Sequence, residues 1–150
     1  MDTIVKKTNN SESAYQVALK LTDYFDGNGL KSIKEQTKSH LLYGIYLNNQ
    51  MVGFVTYHPI NSATIEMTWL GVLPEHQGKG YGEKLVSESL KDFAHEYQKC
   101  EVKTLAETDD YAPYQKTRAF YKSIGFTSRE IIQNYPGWHN NPCQIFEKDL

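Results

Sequence analysis

The sequence has few cysteines and no long apolar segment. Its 150 residues include two cysteines, Cys100 and Cys143, which lie far apart and form no C-x-x-C pair, so we expect two reduced structural thiols. No apolar run approaches the roughly 20 residues that a membrane-spanning helix needs, and the residues after Met1 lack the apolar core of a secretory signal. The sequence therefore predicts a cytoplasmic protein with no membrane partner.

Neither sign of charge dominates the chain. The formal net charge is -2 at pH 7 and the lysines form no basic stripe, so nucleic acid is not an expected partner. The histidines are scattered along the sequence, at His40, His58, His76, His95 and His139. His95-Glu96 begins like the zinc motif H-E-x-x-H, but Lys99 occupies the place of the second histidine, which argues against a metal cofactor. No G-x-S-x-G pattern occurs, which removes the commonest type of serine hydrolase.

The remaining composition is that of an ordinary folded protein. Hydrophobic residues make up 39% of the chain and charged residues 23%, and the tyrosines contribute part of the apolar surface. A chain of this length can bury a core without disulfides or metals. We therefore expect residues 1–150 to form one folded domain.

One segment departs from this background, the glycine-rich stretch from Val72 to Leu85, which reads V-L-P-E-H-Q-G-K-G-Y-G-E-K-L. It follows an apolar run and precedes an amphipathic one, which predicts a strand, a tight turn and the N-terminus of a helix. Free backbone N–H groups and the helix dipole at such a terminus bind phosphate or pyrophosphate. The spacing fits neither the Walker loop G-x-x-x-x-G-K-[ST] nor the dinucleotide fingerprint G-x-G-x-x-G.

Two short motifs in this part of the chain are more specific together than either is alone. Gln77-Gly78-Lys79-Gly80-Tyr81-Gly82 fits the pattern Q/R-x-x-G-x-G/A, and the segment from Phe120 to Phe126 fits F-Y-x-x-x-G-F. With both motifs in this order, the sequence resembles the GNAT superfamily of N-acetyltransferases, which bind acetyl-coenzyme A (acetyl-CoA) at the first motif. The resemblance spans most of the chain and is motif-specific from about Ile65 to Phe126.

The resemblance implies the mixed α/β (α+β) fold of acyl-CoA N-acyltransferases, a twisted, mostly antiparallel sheet flanked by helices and splayed between its fourth and fifth strands to admit acetyl-CoA. Sequence patterns predict strands over residues 2–8, 41–47, 51–58, 63–72, 102–107, 126–134 and 144–150. Within the fourth strand, Ile65, Met67 and Trp69 are predicted to share one face. The predicted helices cover residues 11–24, 30–39 and 80–99, and a last helix starts near Pro113 and stops at Gly125.

The resemblance also implies which residues hold the cofactor. Its phosphates are expected at the first motif, which comprises Gln77, Gly78, Lys79, Gly80, Tyr81 and Gly82. Lys79 either adds charge there or is merely solvated. The end of the fourth strand is expected to pair with the pantetheine arm through the backbone of Leu70 and Val72. Tyr114 stands where the family often has an asparagine that contacts this arm.

Two side chains are candidates for acid–base catalysis. Glu66, on the fourth strand eleven residues before Gln77, resembles the family's general base, although a polar residue on an exposed strand face fits the same pattern. Tyr121 matches the tyrosine that donates to the departing sulfur, and a phenol with a pKa of about 10 stays protonated at neutral pH. It also shares helical spacing with Thr117 and Ile124, so a core aromatic is the alternative.

The predicted function is direct transfer of an acetyl group from acetyl-CoA to a primary amine. Two alternatives remain open, a noncatalytic module that binds or senses acyl-CoA and an acyltransferase that uses a longer acyl chain. The sequence does not specify the acceptor. An aromatic pocket could include Trp69, Tyr111, Tyr135, Trp138 and His139, but aromatic residues in strands and closing loops more often serve packing. A homodimer is also left open.

Overall fold

A central β-sheet organises the structure, a computed structural model that describes residues 2–150. Within these residues its seven strands are β1 (Thr3–Lys7), β2 (Leu41–Leu47), β3 (Gln50–Pro59), β4 (Thr64–Val72), β5 (Lys99–Leu105), β6 (Thr127–Ile132) and β7 (Cys143–Asp149). They lie in the order β1-β2-β3-β4-β5-β7-β6. β4 and β5 run parallel, and every other neighbouring pair is antiparallel.

Helices cover both faces of this sheet. They are α1 (Ser11–Leu19), α2 (Gly27–Ser39), α3 (Tyr81–Leu90) and α4 (Ala112–Ser123), with 3-10 turns at Pro74–His76 and Lys91–Phe93. Phe54 belongs to a core under α1 and α2, whereas its neighbour Val55 belongs to a core under α3 and α4. Because successive strand residues point to opposite faces, the two cores lie on opposite sides of the sheet. Among residues 2–150, no helix is both long and apolar enough to cross a membrane.

The predicted elements all form, but the bounds of the first two helices differ. α1 ends at Leu19 instead of continuing to residue 24, and Leu21 and Phe25 reach the core from an irregular segment. α2 begins at Gly27 and not at residue 30, because the Asp26 carboxylate accepts a hydrogen bond from the Gly29 N–H at 2.7 Å and caps the helix.

The third predicted helix is also shorter than its apolar pattern suggests. α3 ends at Leu90, and the chain continues through a 3-10 turn before β5 starts at Lys99. Phe93 is buried and Tyr97 packs against the same core, so the apolar spacing continues after the helix has ended. The prediction of a helix through residue 99 is therefore wrong, because hydrophobic spacing alone does not separate an α-helix from successive turns.

A β-bulge interrupts β4. Pairing with β3 skips from Met67 to Trp69 and leaves Thr68 without a partner strand residue. Ile65 and Met67 contribute to the core under α3, whereas Trp69 packs against the core under α1 and α2. The predicted common face of these three residues is therefore wrong. The extra residue brings Trp69 to the same face as Glu66.

Candidate active site

The sheet opens between β4 and β5. The two strands pair only over residues 64–67 of β4 and 99–102 of β5, and the ladder stops beyond them. Two cavities occupy this opening, a larger one of about 930 Å³ and a smaller one of about 490 Å³. Leu70, Thr117 and Tyr121 line both cavities, so the two spaces meet between the end of β4 and α4.

The glycine-rich turn between β4 and α3 lines the smaller cavity. Gly78 and Gly80 have φ values of +77° and +81°, in the left-handed region that favours glycine. A Cβ at either position would meet no atom within 4 Å. Gly80 is also the N-cap of α3, where the first amides of the helix have no acceptor within the helix. The turn therefore places open space beside free N–H groups, which suits a pyrophosphate.

Gly82 has a different reason to lack a side chain. It lines the smaller cavity, but an added Cβ would lie 3.2 Å from the Phe120 ring. The glycine therefore lets the start of α3 approach α4 closely.

Of the remaining residues of the first motif, two line the smaller cavity and one does not. Gln77 and Tyr81 line it, and the Gln77 Nε2 group donates to the Val72 carbonyl at 2.9 Å, which ties the turn to β4. Lys79 is exposed and does not line the cavity, whereas Lys116 of α4 does. Lys116 was not among the predicted residues. The sequence indicates its position only through the spacing of four residues from Phe120, which places both residues on one face of α4.

Leu70 and Val72 lie where the free edge of β4 begins. Both line the smaller cavity and pair on one side with β3. On the other side, the ladder to β5 stops at Met67. An extended chain can form backbone hydrogen bonds along such an edge.

Tyr121 lies at the junction of the two cavities. Only 6% of the residue is exposed, and its ring tilts against Phe126 and Phe146 with centroids 5.9 and 6.0 Å away. Burial raises the pKa of its phenol well above the usual range, so the hydroxyl is protonated at neutral pH. Within residues 2–150 the Tyr121 hydroxyl forms no hydrogen bond. Tyr121 is therefore packed in the core while it also lines both cavities, so it remains a candidate for the acid.

Glu66 lines the larger cavity and is partly buried. Its Oε1 atom lies 3.2 Å from Nζ of Lys103 on β5. Burial by itself lowers the pKa of the Lys103 ammonium, but the adjacent Glu66 carboxylate outweighs it and the net pKa is raised. The ion pair therefore holds the carboxylate in the cavity wall. Among the described residues, the Glu66 carboxylate has no hydrogen-bond partner besides Lys103, which leaves Oε2 free for a ligand.

Two tyrosines near the start of α4 hold the opposite wall in place. The Tyr111 and Tyr114 hydroxyls donate to the carbonyls of Asp23 and Tyr24 at 2.7 and 2.6 Å. These bonds connect α4 to the segment between α1 and α2 across the opening of the sheet. Burial raises the pKa of Tyr114 to about 12. At the position where the family often has an asparagine, this chain therefore has a structural tie.

The aromatic residues considered for an acceptor pocket come together in the larger cavity. Its lining includes all five residues that were weighed against core packing, namely Trp69, Tyr111, Tyr135, Trp138 and His139. Tyr135 and Trp138 contact each other with ring centroids 5.2 Å apart. The Trp69 Nε1–H donates to the Gln36 side chain at 2.6 Å, which fixes the indole against α2.

Two of the scattered histidines also meet in this cavity. His40 directly follows α2 and His58 lies near the end of β3, and their rings stack with centroids 4.5 Å apart. His40 Nδ1 lies 2.9 Å from Oγ1 of Thr68, the bulge residue of β4. Burial and the nearby His58 both lower the pKa of His40. The pair is not predicted from the sequence, because nothing in the spacing of the histidines indicates that the rings are in contact.

Both cysteines are buried and unpaired, as expected. Burial raises the pKa of the Cys100 thiol to about 12 and that of Cys143 to about 11. Neither residue lines the two cavities. A covalent acyl-cysteine step therefore has no suitable thiolate at this site.

Solved structures share this architecture, and two of the three described next contain acetyl-CoA or coenzyme A. A GNAT-family protein from Desulfovibrio desulfuricans aligns with a TM-score of 0.84 and 17% identity over 99% of both chains. A GNAT family acetyltransferase from Elizabethkingia anophelis, solved with acetyl-CoA bound, aligns with a TM-score of 0.76 and 18% identity over 99% of this chain and 98% of that chain. PaiA N-acetyltransferase from Thermoplasma acidophilum, in complex with coenzyme A, aligns with a TM-score of 0.73 and 18% identity over 100% of both. These similarities confirm the predicted GNAT fold, splayed between the fourth and fifth strands.

The sequence itself then identifies the family. The model of the acetyltransferase (GNAT) domain matches residues 38–128, which is more than half of the chain. The chain therefore belongs to the GNAT acetyltransferase family. A search among curated proteins finds no match.

Proposed function

We propose that this protein transfers an acetyl group from acetyl-CoA directly to a primary amine. The observation that carries the proposal is the meeting of the two cavities at Tyr121. The smaller cavity contains the N-terminus of α3, and the larger cavity contains the Glu66 carboxylate. The neighbours solved with acetyl-CoA or coenzyme A support the choice of cosubstrate.

The smaller cavity suits the coenzyme. The amides at the start of α3, beside Gly78 and Gly80, bind the pyrophosphate, and the Lys116 ammonium adds positive charge. The free edge of β4 at Leu70 and Val72 aligns the pantetheine arm. This arrangement directs the thioester toward the junction of the cavities.

The larger cavity binds the acceptor and contains the base. Glu66 takes a proton from the ammonium form of the acceptor, and the neutral amine attacks the thioester carbonyl. The C–S bond breaks as the C–N bond forms, and Tyr121 protonates the departing thiolate. The amide nitrogen loses its second proton, which restores the phenol. Each transfer needs its donor and acceptor within hydrogen-bond reach, and Lys103 keeps Glu66 in position.

The proposal is tested with purified protein, acetyl-CoA and a panel of small amines, aminoglycosides, peptide N-termini and lysine peptides. We expect release of coenzyme A that depends on one class of amine, and a mass increase of one acetyl group in that amine. Binding of acetyl-CoA without release in the presence of any amine would favour the noncatalytic module. Faster transfer from succinyl- or myristoyl-CoA would favour the longer-chain alternative.

Glu66→Gln is expected to lower kcat at neutral pH by about 10²-fold or more, because the acceptor then has no adjacent base. Turnover should recover partly at higher pH, where more of the amine is deprotonated in solution. Affinity for acetyl-CoA, measured by calorimetry, should be unchanged. Glu88→Gln is the matched control, since Glu88 is exposed on α3 and lines neither cavity. An unaltered pH profile in Glu66→Gln would assign the base to another group.

A further inference from the structure

The histidine pair lies directly beside the carboxylate that we assign as the base. His58 is the partner of Glu66 in the register of β3 and β4, so their Cβ atoms lie on the same face about 4.5–5.5 Å apart. His40 stacks on His58, and both rings line the larger cavity. His58 is exposed, whereas His40 is half-buried. The pair therefore extends from the base toward solvent.

One hydrogen-bond arrangement satisfies His40 and both threonines. In it, the Thr68 hydroxyl donates to the Thr56 carbonyl at 3.2 Å. Thr68 Oγ1 accepts from the Thr56 hydroxyl at 2.7 Å and from His40 Nδ1–H at 2.9 Å. Neutral His40 in this arrangement carries its proton on Nδ1. Its Nε2 atom keeps a lone pair that can accept a proton.

We propose that His40 and His58 receive the proton that Glu66 removes from the acceptor ammonium and release it to solvent. This inference rests on the proposed function. The ammonium N–H bond breaks and Glu66 becomes a neutral acid. Glu66 then gives the same proton to an imidazole, which becomes an imidazolium. The imidazolium loses the proton to water, so Glu66 and the pair return to their starting states.

The order of basicity favours this direction. An imidazole is a stronger base than a carboxylate, so a proton on a carboxylic acid passes to a nearby imidazole. Two imidazolium rings at this separation repel each other, so the pair accepts one proton per cycle. Burial and the nearby His58 lower the pKa of His40, so this ring is neutral at pH 7 and an imidazolium there gives its proton up to water readily.

Titratable groups from several elements line the cavity together with the pair. They are Asp23 and Asp26 between α1 and α2, Glu66 on β4, Lys103 on β5, and His139 between β6 and β7. The Lys103 ammonium is already paired with Glu66. The tyrosine phenols of the walls are neutral in the pH range where imidazoles titrate. Since His139 is a third imidazole in this cavity, the part of the acidic limb that depends on His40 and His58 is expected to report the pair.

The kinetic test replaces both histidines by asparagine. The amide introduced by His40→Asn would retain a donor toward Thr68, while the titratable ring is lost. We expect His40→Asn/His58→Asn to lower kcat at pH 7 about 10-fold to 100-fold, to remove this part of the acidic limb between about pH 5 and 8, and to be partly rescued by added imidazole. Affinity for acetyl-CoA should stay unchanged. His95→Asn, an exposed substitution outside both cavities, is the control.

A second measurement does not depend on turnover. NMR titration of the imidazole protons should show a lowered pKa for His40, and His58→Asn should raise it by removing the neighbouring positive charge. Independent titration of the two rings at ordinary values overturns the proposal. A folded double variant with wild-type turnover and pH profile overturns it while leaving the proposed function intact. A wild-type protein that acetylates no amine of the panel overturns both.

Discussion

Tyr121→Phe is expected to lower kcat by about 10²-fold to 10⁴-fold, the usual contribution of a general acid. If the phenol protonates the departing thiolate, its contribution is larger in the transition state than in the ground state. The affinity for acetyl-CoA should therefore change much less than turnover. The ring still packs on Phe126 and Phe146, so we expect a folded variant.

Steady-state kinetics and calorimetry on the same preparations measure the two effects separately. Tyr43→Phe is a matched control, because Tyr43 is also buried but donates its hydroxyl to Asp92 at 2.7 Å and lines neither cavity. It should lose stability without losing kcat. Since burial raises the pKa of Tyr121, this group should cause no alkaline loss of wild-type activity below about pH 10. Full turnover in Tyr121→Phe, with chemistry still rate-limiting, would make Tyr121 a core aromatic and solvent the acid.

The sequence predicts best those features whose cause lies in consecutive residues. The turn with Gly78 and Gly80 needs left-handed backbone and a following helix, and both requirements are visible in a few letters. Tyr121 was predicted from one short motif, and the structure places it between the two cavities. The hairpin of β2 and β3 likewise follows from two apolar runs and an asparagine turn with positive φ at Asn48 and Asn49.

The features that the sequence does not predict depend on register and on distant contacts. A bulge at Thr68 changes which side chains share a face with Glu66, yet the residue type does not reveal it. The partners Lys103 and His58 come from two different strands beside β4, so their proximity to Glu66 requires the sheet order. For the same reason, the composition of the larger cavity follows from the fold and not from any one motif.

Gly80→Val is expected to weaken acetyl-CoA binding by more than about tenfold, which corresponds to about 1.4 kcal/mol. Gly80 lies in the left-handed region at the N-cap of α3, with empty space where a side chain would be. A branched side chain there would fill the space assigned to the pyrophosphate and disfavour the turn itself. Wild-type protein with acetyl-CoA at about 100 times its Kd should gain about 2.7 kcal/mol of stability, which a thermal shift detects and the variant should lack.

Loss of binding through simple destabilisation must be distinguished from loss of the pyrophosphate site at the glycine-rich turn. Gly137→Val provides the control, because Gly137 has a similar φ of +84° and its Cβ would also meet no atom within 4 Å. It lies between β6 and β7 and lines the larger cavity only. The two variants should lose comparable free energy of unfolding through backbone strain, about 1–2 kcal/mol, while only Gly80→Val loses affinity in calorimetry. Equal affinities in two folded variants would place the coenzyme's phosphates away from the start of α3.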